Sequence, residues 1–192
     1  MGIRDKQKHE SRERILSAAS KLLSERGLAG AGVATIMSEA GLTHGGFYVH
    51  FDSRRDLVGQ VLGSAAERTR GWFLRGLSSQ RGLDWVRAAV ERYLTPRHRD
   101  NPATGCLVAG LGGDVAREDD DIRRLFEREL EILADEFRAR LDGEVEDPEG
   151  RALAVVALCA GGISLSRAVS DRRLSNRILQ ACQSLAERDL AH

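Results

Sequence analysis

The chain has 192 residues, 29 acidic against 29 basic side chains, and a makeup of 42% hydrophobic and 30% charged residues. That suits one large or two modest water-soluble globular units, and disorder is not the expectation. Cys106, Cys159 and Cys182 lack the pairing or Cys-x-x-Cys spacing of a disulfide framework or zinc site, and the histidines are not at metal-ligand spacing, so no metal or cofactor is expected.

The zero net charge conceals a polarity along the chain. Residues 1–55 carry nine basic side chains (Arg4, Lys6, Lys8, Arg12, Arg14, Lys21, Arg26, Arg54 and Arg55) against six acids, whereas residues 114–149 carry fifteen acids against six arginines. One end can therefore meet phosphate while the other faces solvent. The longest uncharged run, Ala152 to Ser166, is shorter than the roughly 20 apolar residues of a membrane span, and no charged-then-apolar leader opens the sequence. The expectation is a cytoplasmic protein with no membrane partner.

In chain order, Met1 to Lys8 is polar and basic without an apolar period, and reads as a flexible arm. From Glu10 to Arg26, Ile15, Leu16, Ala19, Leu22 and Leu23 follow the spacing of an amphipathic helix that Gly27 stops. The stretch Gly27 to Asp56 then reads as a helix, a tight turn and a very short second helix. Val33, Ile36 and Met37 share one face of the first, Gly41 takes the left-handed conformation that ends it, and Thr43 caps the second. That second helix, His44 to His50, has Phe47 and Phe51 to fasten it and leaves His44, Gly45, Gly46, Tyr48 and His50 outside.

Ser53-Arg-Arg-Asp56 is a capping-box start to a long helix expected to reach Leu77. Ser78 to Gly82 reads as a turn and Leu83 to Leu94 as a helix with Trp85, Val86, Ala89, Val90 and Tyr93 inward. Thr95 to Thr104 reads as a loop and Gly105 to Ala116 as a glycine-rich apolar helix. Asp119 opens a helix with Ile122, Phe126, Leu130, Leu133, Phe137 and Leu141 inward. Asp147-Pro148-Glu149 opens another that is apolar nearly all round, and a last helix is expected from Ser175 to Arg188. The fold class expected is all-α.

Gly30-Ala-Gly32 faintly matches a dinucleotide fingerprint, but a helix rather than a strand precedes it, and no Ser-His-Asp grouping has motif support, so an enzyme is not expected. Arg14-Ile-Leu with Ala18-Ala19, Glu25-Arg-Gly27, Ile36 before Glu39-Ala-Gly41-Leu-Thr43, and Gly45 with Phe47-Tyr48 and His50-Phe51-Asp-Ser53 resemble the signature of the tetracycline-repressor (TetR/AcrR) family of transcription regulators. The resemblance covers roughly residues 10–62. It implies an all-helical homodimer with an N-terminal helix-turn-helix unit (1–55, arm 1–8) and a larger C-terminal effector-binding and dimerisation unit (56–192). The chain departs from the pattern in carrying Gly30-Ala-Gly32 where Ser or Thr often precedes the first reader helix, Arg54 for a usual lysine, and Gly46 for a side chain that often reaches bases.

The resemblance implies a double-stranded DNA operator as partner, with Tyr48 and His50 on phosphates. Thr43 and His44 are candidate base readers, Gly46 lies among them, and Arg54 and Lys8 are candidate phosphate clamps. Each also has a bland reading as a solvated surface residue. The effector pocket is expected from Trp72, Trp85, Tyr93, Cys106 and Phe126, against the default of plain core packing. Cys106, near Arg97, His98 and Arg99 in sequence and at an expected helix start, is either a thiol sensing oxidants or electrophiles or a small buried pocket residue. The dimer interface is expected from Ala157, Gly161, Leu174, Ile178 and Leu185 on the last two helices. The reading is a ligand-responsive regulator, a repressor released from a palindromic operator by a small-molecule or electrophile effector. The alternative is a DNA-binding protein without effector, acting structurally or through a protein partner.

Overall fold

The computed structural model describes residues 2–102 and 105–189, and among these there are helices and no strand. The first helix, α1 (Ile3–Gly30), begins far earlier than the apolar period does. The flexible arm expected at 1–8 is therefore corrected to a helical turn and a half for residues 3–8, Met1 lying outside the described residues. Its stabilisation is local and polar: the Gly2 amide donates to Asp5 Oδ2 at 3.0 Å and Lys6 pairs with Glu10 at 3.9 Å. Gly27, at φ 68° and ψ −173°, breaks α1, and one more turn follows to Gly30.

Helix α2 (Val33–Glu39) buries Ile36 and Met37 and ends as the sequence leads one to expect. Gly41 has φ 64°, its amide reaches Ser38 O at 3.0 Å, and the Leu42 amide reaches Met37 O at 2.9 Å, the paired bonds of a Schellman ending. His44–Val49 forms a 3₁₀ helix rather than an α-helix. Two adjacent glycines and a length of six residues give an α-helix little to propagate. Thr43 stands at its cap position, but its side chain makes no capping bond. Phe47 and Phe51, stacked with centroids 5.6 Å apart, fasten the segment to the core.

Helix α3 (Arg54–Phe73) starts with Ser53 Oγ accepting the Asp56 amide at 3.0 Å. It stops short of the expected Leu77, and the chain turns through Gly76 at φ 77°. Helix α4 (Gly82–Tyr93) follows. The expected loop after it contains a further helix, α5 (Pro96–Asp100), started by Thr95, whose hydroxyl accepts the His98 amide at 3.2 Å, and by Pro96 in the first turn. Helix α6 (Leu107–Val115) is short, and α7 (Asp120–Leu141) is capped by Asp119. Helix α8 (Pro148–Ala168) is capped by Asp147, and α9 (Arg172–Asp189) starts before the expected Ser175 because Asp171 Oδ1 takes the Arg173 amide at 2.7 Å.

Two cores organise the bundle. One joins α1, α2, Phe47, Phe51 and the first half of α3 to Leu111 and Val115 of α6 and Ile122 of α7. The other joins Phe73 at the end of α3 to α4, α7, α8 and α9. By length and hydropathy α8 would suit a bilayer, with a mean hydropathy of 1.4 over its most apolar window. In this fold it packs between α7 and α9, and Arg167 in its last turn binds backbone oxygens of α5.

Phe47 is fully buried, and Phe47→Ala is expected to cost about 3–5 kcal/mol of stability in urea unfolding. A loss below about 1 kcal/mol would contradict its role as the fastening of the 3₁₀ segment.

Candidate nucleic-acid interface and effector region

The 3₁₀ helix is fastened from one side and bare on the other. Thr43, His44 and Gly45 are exposed, Gly46 is half-buried, and Tyr48 and Val49 are 67% and 59% exposed. The Tyr48 ring stands edge-on to Phe47 at 5.2 Å, so a buried ring orients an exposed one whose hydroxyl faces solvent. His50 is half-buried, and its Nδ1 is buried without a partner. Its pKa is lowered first by that burial and then by the positive charges of Lys8 and Arg12. Lys8 is exposed, while Arg12 bonds Gln60 and lies over the Phe51 ring at 5.3 Å. The helical start of α1 thus brings cationic groups beside the 3₁₀ segment, an arrangement suited to phosphate oxygens.

Arg54, expected as a phosphate clamp, is half-buried and has partners within the protein. Its Nη2 donates to Leu28 O at 2.7 Å and its Nη1 lies 3.7 Å from Glu118. Arg14, which sequence reading passed over, donates to Ala40 O and Gly41 O and so binds the last carbonyls of α2. No local signal marks that contact, because its partners are 26 and 27 residues away.

Of the expected pocket residues, the fold brings Trp72, Tyr93 and Cys106 around a histidine that sequence reading left unassigned. His98 is 3% exposed, and its ring lies 4.4 Å from Tyr93 and 5.9 Å from Trp72. Its Nδ1 lies 2.9 Å from Tyr93 O, and its Nε2 accepts the Cys106 amide at 3.1 Å. These partners define the neutral form with the proton on Nδ1, since a second proton would meet another donor. Burial pushes the pKa of His98 down to about 4. The Tyr93 hydroxyl is pushed well up by burial and then by neighbouring Cys106, to whose thiol it is also bonded.

Helix α5 delivers His98 because it is tied down from two sides. Arg167 donates to His98 O at 2.9 Å and to Arg99 O at 3.0 Å, while buried Arg99 reaches Ser175 Oγ at 2.8 Å and Asn176 Oδ1 at 2.7 Å. Asp100 holds Arg99 at 2.8 Å and Arg172 at 2.8 Å, and the two guanidiniums depress its carboxyl.

Trp85 and Phe126 do not join this cluster. Trp85 is buried against Phe137, with Arg140 over its ring at 4.5 Å, and Phe126 packs on the other core. The cavity between Phe73, Tyr93, Val108, Phe137, Val156 and Cys159 is nearly filled in this conformation, with a volume of about 10 Å³.

On α8, Leu153 (46% exposed), Ala157, Gly161 and Leu165 (60%) recur every four residues, and α9 adds Leu174 (45%), half-buried Ile178 and Leu185 (50%). Leu153 and Leu165 extend the expected dimer stripe, and their four-residue spacing was the signal available for them.

The fold and its basic reading end define a helix-turn-helix protein with a larger helical second unit. Residues 15–61 match the family model for bacterial regulatory proteins of the tetR family, so the helix-turn-helix unit is of that type. It is 30% identical over 139 residues, 70% of this chain, to the HTH-type transcriptional repressor KstR2 of Rhodococcus jostii (strain RHA1), of whose length the match spans 63%. It is 23% identical over 174 residues to an uncharacterized HTH-type transcriptional regulator in the lacX 3′ region of Lactococcus lactis subsp. lactis, covering 84% of this chain and 85% of that one. A TetR transcriptional regulator from Chloroflexus aurantiacus J-10-FL has the same fold, with a TM-score of 0.81, 22% identity and 97% of each chain covered. The reduced form of E. coli NemR superposes with a TM-score of 0.76 at 19% identity, covering 94% of this chain and 96% of that one.

His98 generates a pH prediction. Its folded pKa of about 4 lies below its ordinary 6.5, so the stability linked to it is present above pH 6.5 and lost as pH falls from there toward 4. Urea unfolding is expected to show a loss of about 2 kcal/mol between pH 7 and pH 5 that His98→Gln largely removes. An equal loss in both proteins would place the acid sensitivity elsewhere.

Proposed function

We propose that the protein is a dimeric, DNA-binding transcription regulator, a repressor that a small molecule releases from its operator. The observation that carries the reading is the 3₁₀ segment, buried at Phe47 and bare at Thr43, His44 and Tyr48, beside Lys8 and His50. A helix fastened on one edge and open on the other is a probe for a groove. KstR2, 30% identical over 70% of this chain, is itself named a transcriptional repressor.

In this reading residues 1–55 address DNA and residues 56–192 carry the effector and dimer functions. Tyr48, His50 and Lys8 bind phosphates and set register, while Thr43 and His44 address base edges, Gly46 giving the backbone close approach. Arg54 serves the joint between the units rather than the phosphates. The stripes of α8 and α9 meet their own copies across a dyad, which places two reading segments on successive major grooves. An effector entering beside Trp72, Tyr93 and Cys106 has to open the closed interior, and the conformation with the interior opened binds operator more weakly.

Tyr48→Phe is expected to weaken binding to every duplex alike, by about three- to tenfold, whereas His44→Ala is expected to change the order of preference among duplexes. Fluorescence anisotropy on a panel of selected and single-base-altered duplexes separates the two, and a Tyr48 effect confined to one duplex would contradict the phosphate assignment.

Cys106 is 5% exposed, which favours the pocket-wall reading over the sensor. An alkylating reagent is expected to leave DNA binding unchanged over the time in which it labels half-buried Cys182. Release by the reagent that Cys106→Ser abolishes would make Cys106 the sensor instead.

A further inference from the structure

The break at Gly27 has a partner that lies far along the chain. The Leu28 amide donates to Asp114 Oδ2 at 2.9 Å, and the Leu28 carbonyl accepts from Arg54 Nη2 at 2.7 Å. One residue of backbone is thus held from opposite sides by a carboxylate from the last turn of α6 and a guanidinium from the first turn of α3. Each holder is itself held: Asp114 Oδ1 by Arg117 at 2.9 Å, and Arg54 by Glu118 at 3.7 Å. Gly27 is what makes room, because its φ of 68° disfavours a side chain and a Cβ there would run into the Asp114 carboxylate.

We infer that Asp114 is a positioning residue for the DNA reader, its carboxylate acting with Arg54 as a clamp on Leu28 that ties the orientation of α2 and the 3₁₀ helix to α6. The inference rests on the DNA-binding reading above and adds to it the residue through which the second unit acts on the first. Leu28 is 1% exposed and lies in the first core, and only Ala29 to Gly32 separate it from α2, whose N-terminus has no side-chain cap. The clamp therefore fixes the backbone just upstream of the reader, together with Ala31, which is fully buried in the same core and whose amide also reaches Leu28 O at 3.3 Å.

The other end of α6 is fixed to the effector region. The Cys106 amide, at the cap of α6, is held by His98, and Ser164 of α8 donates to Ala109 O. A nine-residue helix is a rod of about 13 Å. A displacement at its Cys106 end reaches Asp114 as a rigid-body movement, and the hydrogen bond to Leu28 must then either carry the reader along or break. Charge-assisted bonds between partly buried groups are stronger than neutral ones, which suits this contact to carrying the displacement.

The test uses full-length protein and two readouts. The first is hydrogen exchange at the Leu28 amide and across α2 without DNA. The second is affinity for duplexes that carry the selected half-sites at spacings changed by single base pairs. In Asp114→Ala, Leu28 exchange is expected to rise about tenfold or more. Discrimination between the best and altered spacings should fall about fivefold, with dimer mass and helix content unchanged. Asp114→Asn retains an acceptor and is expected to restore most of both. If Asp114→Ala does not fold, Arg54→Met applies the same test from the other side of Leu28. Unchanged exchange and spacing preference, or a uniform loss of affinity at every spacing, would overturn the inference. If the wild-type protein selects no duplex at all, the functional reading fails by itself. The exchange rates then decide the clamp: joint acceleration at Leu28 and α2 upholds it, and unchanged rates refute it.

Discussion

Helix α3 belongs to both hydrophobic cores, and that sharing is the constraint on which the rest of the molecule depends. Leu57, Val58, Val61, Leu62 and Ala65 pack with the reading end, and Phe73 packs with the second unit. A single helix cannot satisfy two close-packed cores independently. Any change in how α7 and α8 pack against its far end must therefore be accommodated at its near end, where Ser53, Arg54 and Asp56 sit beside the reader. Close approach along the helix strengthens the link: Gly59 and Gly63 leave space that Leu125 and Glu129 of α7 occupy, and Arg70 pairs with Glu129 at 3.2 Å.

Charge is distributed to serve this joint. The acidic excess read along residues 114–149 is partly spent on contacts with the reading unit, through Asp114 to Leu28, Glu118 to Arg54 and Asp121 to Arg55. Arg54, which looks like a phosphate ligand in the sequence, thereby has its partners within the protein, at Leu28 and Glu118. In the proposed reading, the contacts to nucleic acid fall to Lys8, His50 and the face of the 3₁₀ helix, and recognition then rests on a small number of side chains and on the spacing of two copies.

Much of this was legible in the sequence wherever the physics is local. Ser53, Asp119 and Asp147 cap helices as their positions lead one to expect, and Gly41 takes the left-handed conformation. Misjudged boundaries had local causes of another kind. Residues 3–8 form a helix through charge pairing and capping, which an apolar period cannot report, and Thr95-Pro96 was a helix start read as a loop. The two glycines after His44 turned an expected α-helix into a 3₁₀ helix. The site was less legible because its decisive contacts span long separations. Arg14 meets the end of α2, Arg54 meets Leu28, and Asp114 meets the same residue from 86 positions away. Nothing in the spacing of those residues announces that they will meet.

The central claim is that two copies of the 3₁₀ segment, held at a set separation by α8 and α9, read DNA together. Selection from a pool of random duplexes by the purified full-length protein tests it most directly. The account predicts enrichment of an inverted repeat whose half-sites are centred about one helical turn, or a small multiple of it, apart. Enrichment of single unrepeated sites, or no enrichment at low salt, would contradict it.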